Sequence, residues 1–356
     1  MSAYNADALT EITEMLCDSK RVMIFLMSQD LEDECKKQEH YMMTKYIVKD
    51  ISGDLLKAMD KPGKVSVDLH IANGLIPKNT SIAELEGNFC VAPKEIERGV
   101  YFMQDSKFRQ PKGIVQLKMF SADIGYGTDP KALVFAHLWA RVLTRFMAED
   151  LYKATKAGYQ FYTEFDSDDF SLLWKGYNEN LSQYINNVCK NIVKMRKAPH
   201  ANLQPLFEEA RDWLLRDFEG AALAKPYRQA LDLLPKMLEE NNHGEGVLRE
   251  ILEGYQYENF QEELGNWFLN GHSNWFVHGN FSKDEALALV KGAGSVLALQ
   301  EAPLDGLAQV RAARLGDGTA TLHEEVLADR DTAYDCVVSY FQYGAAEQGD
   351  VKPDVL

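Results

Sequence analysis

The stretch YFMQDSKFRQPKGIVQLKMFSADIGYGTDPKALVFAHLWARVLTRFMAEDLY, residues 101–152, sets two patterns of different period side by side. In GIVQLKMF, residues 113–120, Val115, Leu117 and Met119 alternate with Gln116 and Lys118, the two-residue period of a half-buried strand. Asp129-Pro130 then offers a helix start, with proline at the first helical position, where its missing N–H is no loss. From Pro130 to about Thr155 apolar side chains occupy much of the circumference: Leu133, Phe135, Leu138, Trp139, Val142, Leu143, Phe146, Met147 and Leu151. Such a helix is largely buried. A half-buried strand leading into a buried helix is the seed of a sheet layer covered by helices.

Upstream, RVMIFLM at 21–27 is a short apolar run that predicts a buried strand, and a charged, helix-compatible stretch follows to about Met59. Residues 61–99 are rich in proline and glycine and keep no sustained period, so a long linker between two domains is expected there. Downstream, YQFYTEF at 159–165 and FSLLWKGY at 170–177 flank the turn-forming Asp166, Ser167, Asp168 and Asp169, which predicts a hairpin. Helices are expected over 178–197, 202–223, 227–240 and 246–269, with Pro226 interrupting. A strand over 273–278 and a helix over 282–298 come next, then a second loose linker at 302–320. The aromatic and β-branched run 334–343 predicts a last strand with almost no chain left to pair with, which reads as the first piece of a further domain. Hairpins with helices in blocks give an α+β architecture.

The formal net charge of −16 argues against a general nucleic-acid binder, because phosphate neutralisation needs clustered Lys and Arg. No run of about 18 apolar residues is present to span a membrane, and the first residues lack the apolar core of a secretory signal. Cys17, Cys35, Cys90, Cys189 and Cys336 form no CxxC pair, so a reducing, cytoplasmic setting is expected rather than a disulfide or zinc framework.

None of the eight histidines completes a zinc-peptidase spacing. His323-Glu324-Glu325-Val326-Leu327 begins like HExxH but has leucine where the second ligand is needed, one helical turn on. Gln38-Glu39-His40 ends like HxxEH but has Lys36 in the place of the first histidine. A nucleophile elbow, a phosphate loop and a dinucleotide fingerprint are all missing from the sequence; Gly125-Tyr126-Gly127 lacks the third glycine. Asp166, Asp168 and Asp169 read as a solvated turn rather than a cation loop, and Cys189 as a small core residue. No catalytic residue and no metal ligand is therefore expected.

His278 is the sharpest remaining candidate, in VHGNFSKDEALAL at 277–289. Ser282 and Glu285 form the S-x-x-E capping box of the next helix, and Asp284 adds negative charge to its first turn. Gly279-Asn280 permits the backbone angles that turn strand into helix. Every residue after His278 thus has a structural reason, and a structural or chamber-lining histidine is favoured over a catalytic one.

Several short motifs now fall in one order: Lys107-Phe108, Pro111-Lys112 and Phe120-Ser121; Lys175-Gly176-Tyr177-Asn178; Lys225-Pro226 before a leucine-rich helix; and His278-Gly279-Asn280 before another. Together they resemble the middle region of the insulinase/pitrilysin family of zinc metallopeptidases, over roughly residues 20–345. The resemblance implies an insulinase-type α/β roll, an antiparallel sheet packed against helices, with partial flanking domains. It implies the end of a second peptidase-like domain at 1–60, a linker at 61–108 and the third domain at 109–300. A linker at 301–330 and the start of a truncated fourth domain at 331–356 follow. The motif residues Lys107, Phe108, Pro111, Lys112, Lys175, Gly176, Tyr177, Pro226, His278, Gly279 and Asn280 carry structural roles on this reading. The zinc of the intact family enzyme and its ligands belong to a first domain that this sequence does not match, so no cofactor is expected in this chain.

The expected function is a non-catalytic portion of a zinc metalloendopeptidase that encloses short peptides in a chamber. Its partners would be peptide substrate and the N-terminal catalytic half. The alternative is a stand-alone, catalytically inactive peptide-binding or regulatory subunit. A self-contained metallopeptidase with an unfamiliar site is the third possibility.

Overall fold

The structure, a computed structural model, describes residues 5–61, 72–120, 129–165, 169–221, 223–239, 242–265, 267, 270–301 and 334–342, with scattered positions between 313 and 326. The expectations on Gly125–Gly127, on Asp166 and Asp168 and on most of 302–320 fall outside the described residues.

The chain divides into two units, 1–72 and 73–356. The first holds α1 (Ala6–Cys17), the short hairpin of β1 (Lys37–Gln38) and β2 (Lys45–Tyr46), and α2 (Gly53–Met59). The strand expected at 21–27 does not form; residues 22–28 carry neither helix nor strand, and Phe25 and Met27 are 84% and 95% exposed. An apolar run becomes a strand only when a neighbour takes up its N–H and C=O groups, and this run has no such neighbour among the described residues. The same holds for Tyr334–Gln342, where the predicted last strand is also unformed and Phe341 is exposed.

The second unit is built on one sheet. Its strands are β3 (Lys94–Glu97), β4 (Val100–Gln104), β5 (Lys112–Phe120), β6 (Gln160–Phe165), β7 (Phe170–Tyr177), β8 (Asn270–Gly279) and β9 (Gln300–Glu301). The order is β3-β4-β8-β5-β7-β6, with β9 beside the start of β8. The predicted hairpin is present, β6 pairing antiparallel with β7 from Phe165↔Phe170 to Gln160↔Lys175. Two corrections arise at the other end of the sheet. Residues 94–104, expected as linker, supply β3 and β4. The sheet is also mixed rather than antiparallel, because β4 and β9 run parallel to β8. No tight turn joins β4 to β8, so nothing forces them antiparallel.

The helices are α3 (Pro130–Phe146), α4 (Ala148–Lys156), α5 (Asn178–Arg196), α6 (His200–Ala221), α7 (Pro226–Leu238), α8 (Glu245–Gly254), α9 (Tyr257–Leu264) and α10 (Lys283–Leu297). The long helix expected from Pro130 breaks at Met147, which leaves helical angles, and the one expected over 246–269 breaks at Tyr255-Gln256. There Gln256 starts a fresh helix through a reciprocal capping box with Asn259. Helices α5 and α10 lie against the strands, and α3 packs on α5, α6, α8 and α9.

Alternation along the strands shows which face they cover. Val115, Leu117 and Met119 of β5 are fully buried, while Ile114, Gln116 and Lys118 are half-buried on the opposite face. In β8, Trp275 and Val277 are buried, and Asn274, Phe276 and His278 share the open face. The core between sheet and helices is knitted by Trp267, whose ring centroid stands 4.7 Å from those of Trp139 and Phe170 and 5.3 Å from that of Phe135.

Leu117→Ala should lower unfolding stability by about 2–5 kcal/mol, the usual cost of a buried leucine with its cavity, measured as a shifted urea midpoint. Ser282→Ala removes the bond to the Glu285 N–H at the start of α10 and should cost about 1 kcal/mol in the same measurement.

Candidate functional site

Four strands end together at one margin of the sheet. Gln104, Tyr177 and Gly279 close β4, β7 and β8, and Lys112 opens β5; Lys112 pairs with Tyr177, Gly113 with Gly279, and Gln104 with Gly279. The motif residues gather here, with one exception: Pro226 is buried at the first turn of α7. Gly176 lies under the Tyr159 ring, and a Cβ there would strike it. Lys112 and Lys175 place their ammonium groups 5.4 Å from the ring centroids of Tyr177 and Tyr162.

Gly279 has φ +130, a conformation L side chains rarely adopt, and a Cβ would run into the Lys112 carbonyl and the Gly113 Cα. The bareness of both glycines lets the two backbones close, and Phe281 covers Gly113. Asn280 follows, buried to 6% exposure, its backbone N–H donating to the Lys112 carbonyl at 2.9 Å. Its carboxamide donates to the Ser81 carbonyl at 2.9 Å and to Asn178 Oδ1 at 3.0 Å, and accepts from the Ala83 N–H at 2.7 Å. Gln104, 1% exposed, accepts from the Glu86 N–H at 2.6 Å and donates to the Glu84 and Phe281 carbonyls, each at 2.9 Å. The Glu179 carboxylate accepts from the Lys78 and Asn79 N–H groups.

His278 is half-buried. Its Nδ1–H donates to the Met103 carbonyl at 3.0 Å, and its ring lies parallel to that of Phe276. The bond pins the ring to the neighbouring strand, which is a structural duty. Lys107 and Phe108 sit on an exposed loop at the same margin. Asp105 organises that loop, its carboxylate accepting from the N–H groups of Lys107, Phe108 and Gln110. Burial pushes its carboxyl upward, but the three N–H groups and nearby His278 outweigh that, and it titrates below the ordinary carboxylate range.

Gln104 and Glu179 escaped the sequence reading. A signal for Gln104 existed: in VYFMQ it takes the inward position after Val100 and Phe102, and a polar residue there must find buried partners. Glu179 offered none, since an acidic residue in the first turn of a helix is ordinary.

A second polar group lies at the far end of β8. A cavity of about 500 Å³ is lined by Glu97, Arg98, His272, Ser273 and Glu301, among others. The Ser273 hydroxyl donates to the Glu301 carboxylate, and His272 Nδ1 is 3.7 Å from Glu301. Both side chains thus turn to the carboxylate, which is not the arrangement of a nucleophile with its base. Among the described residues no group of three or more His, Cys, Asp or Glu side chains is placed to hold a metal ion.

Comparison with known proteins bears on this geometry. A family model described as the middle or third domain of peptidase M16 matches residues 1–247. Insulin-degrading enzyme of Bos taurus is 23% identical over 291 residues, covering 79% of this chain and 28% of its own length. The peroxisomal insulin-degrading enzyme-like 1 of Arabidopsis thaliana is 21% identical over 298 residues, covering 83% and 30%. The crystal structure of pitrilysin superposes with a TM-score of 0.59 at 17% identity, over 74% of this chain and 28% of that one. The chain thus spans less than a third of the length of these relatives.

Gly279→Ala should destabilise the unit by about 1–3 kcal/mol, because it adds strain at a positive φ to a collision with the β5 backbone. The order of loop 105–110 should depend on pH. A carboxyl lowered by folding contributes stability above its unfolded pKa of about 3.9 and loses it as pH falls through the depressed folded value. Amide exchange at Lys107, Phe108 and Gln110 should therefore quicken, relative to the intrinsic rate, only below pH 4, and Asp105→Asn should abolish that transition.

Proposed function

The chain belongs to the family of middle, or third, domains of M16 peptidases, and from that premise we propose that it forms part of the wall of a peptide-enclosing chamber. The intact enzyme would be a zinc metalloendopeptidase acting on short peptides, with zinc and its ligands supplied by an N-terminal catalytic half that this chain meets. The observation that carries the reading is the one-sided sheet. Helices cover one face, while the other presents Ile114, Leu173, Phe276, His278 and Lys175 at partial exposure. An antiparallel-rich sheet tolerates an open face, and a face that is apolar with a few polar tips suits an enclosed peptide.

The chain's own contribution is then structural. His278 is committed to the Met103 carbonyl, and Lys112, Gly176, Tyr177, Gly279 and Asn280 hold the strand ends together. Residues 1–60 and 331–356 fit portions of flanking second and fourth domains on this reading. The exposed apolar runs at 22–27 and 334–342 are what a strand displays when the sheet it belongs to lies elsewhere. A stand-alone, inactive peptide-binding subunit is the second reading, supported by the continuous core of the second unit.

A photoreactive residue at Phe276 should capture an added peptide, while one at Tyr152, on the exposed side of α4, should not; equal labelling would refute the chamber wall. With zinc and a fluorogenic peptide the chain alone should show no chelator-sensitive hydrolysis. Hydrolysis lost on His278→Ala would instead make it a peptidase in its own right.

A further inference from the structure

Residues 78–86, KNTSIAELE, form a strap across the converging strand ends and carry neither helix nor strand. Two buried carboxamides hold it in the same way. Asn280 takes the Ala83 N–H and the Ser81 carbonyl; Gln104 takes the Glu86 N–H and the Glu84 carbonyl. Each amide bridges the N–H of one residue and the carbonyl two residues before it, and the second bridge repeats the first three residues along. A three-residue repeat is that of a polyproline II helix, whose backbone groups make no internal hydrogen bonds and are free to be read from outside.

The residues between each bridged pair are Ile82 and Leu85, and both point outward, 36% and 43% exposed. Thr80, Ser81 and Glu84 are exposed as well. Of the strap, the two carboxamides therefore recognise backbone and no side chain. Glu179 secures the start of the strap outside this repeat, its carboxylate accepting from the consecutive Lys78 and Asn79 N–H groups, and the Asn79 side-chain oxygen accepts from the Ser81 N–H in a local turn. Among the described residues the strap's side chains make one hydrogen bond to the rest of the unit, the Glu86 carboxylate accepting from the Lys283 N–H at the start of α10. If the strap left with nothing in its place, Gln104 and Asn280 would keep buried donors and acceptors without partners, which is costly. The seat is thus built to be filled, with little to specify by which sequence.

We infer that this margin of the sheet is a backbone-reading seat for a peptide in polyproline II conformation, and that residues 81–86 of the strap are its occupant in cis, replaceable by a second peptide of that conformation. Recognition would require free N–H groups at the two bridged positions and would tolerate varied side chains elsewhere.

The full chain tests this by amide hydrogen exchange read by mass spectrometry. Excess synthetic peptide of residues 78–86 should quicken exchange in the chain's own strap in a saturable manner and leave β5 and β8 unchanged. The same peptide N-methylated at the residues matching Ala83 and Glu86 lacks both essential N–H groups and should do nothing. Asn280→Asp and Gln104→Glu keep the acceptor and lose the donor; each should raise strap exchange roughly fivefold to tenfold, as for loss of one hydrogen bond, again sparing β5 and β8. The inference is overturned if the strap exchanges only together with β5 and β8 whatever peptide is added, or if the N-methylated peptide acts as well as the plain one. The peptide measurements on the unsubstituted chain decide the matter even where a variant does not fold.

Discussion

The meeting of β5 and β8 at Gly113 and Gly279 is the constraint on which the second unit depends. The two backbones approach too closely for any Cβ, so the pairing is locked at that point, and the register of the strand pair follows from it. A slip by one residue would exchange Val115, Leu117 and Val277 with Gln116 and Phe276 and turn the apolar face to solvent. Because β8 also pairs with β4, the lock reaches across the sheet, and the ends of four strands arrive at a common margin. Everything distinctive about the site is a consequence of that arrival: the pinned imidazole of His278, the carboxamides of Gln104 and Asn280, and the strap they hold.

How much of this the sequence disclosed follows from the range of the forces involved. β5, α3, the β6–β7 hairpin and the cap of α10 were legible because a period, a proline or a capping pair acts within a few residues. The runs at 21–27 and 334–343 read as strands because their side chains suit a sheet, but a strand is a property of two segments, and local pattern says nothing of the second. β3 and β4 were lost in a proline- and glycine-rich stretch for the converse reason: their partner β8 lies far along the chain and supplies what local propensity does not. The breaks at Met147 and Tyr255 belong to the packing of consecutive helices, which the continuous apolar pattern concealed.

The motifs that carry the family resemblance look unrelated in the sequence because they are dispersed over nearly half of it. In space most of them share one neighbourhood. Lys112 supplies the carbonyl that Asn280 uses, and Gly176 makes room for Tyr159. Their grouping needs no shared chemistry, since most of them solve part of one packing problem at the sheet margin. This also explains why His278, so prominent in the sequence, has a modest role: it stands beside a glycine and an asparagine whose duties are steric and polar, and its Nδ1–H serves the same margin.

The position of β8 has a consequence for the chain as it is made. β4 and β5 are adjacent in sequence, yet they do not pair with each other; β8 lies between them in the finished sheet. When β4 through β7 have been made, the β5–β7–β6 layer has its β5 edge unpaired and the β3–β4 ribbon its β4 edge. Both must wait through the synthesis of five helices, α5 to α9, before the strand that joins them emerges. Premature union of those edges would close the gap meant for β8. Of the two helices that lie against these strands, α5 is made in the interval and α10 only after β8, so both edges and part of the apolar face stay open until β8 arrives.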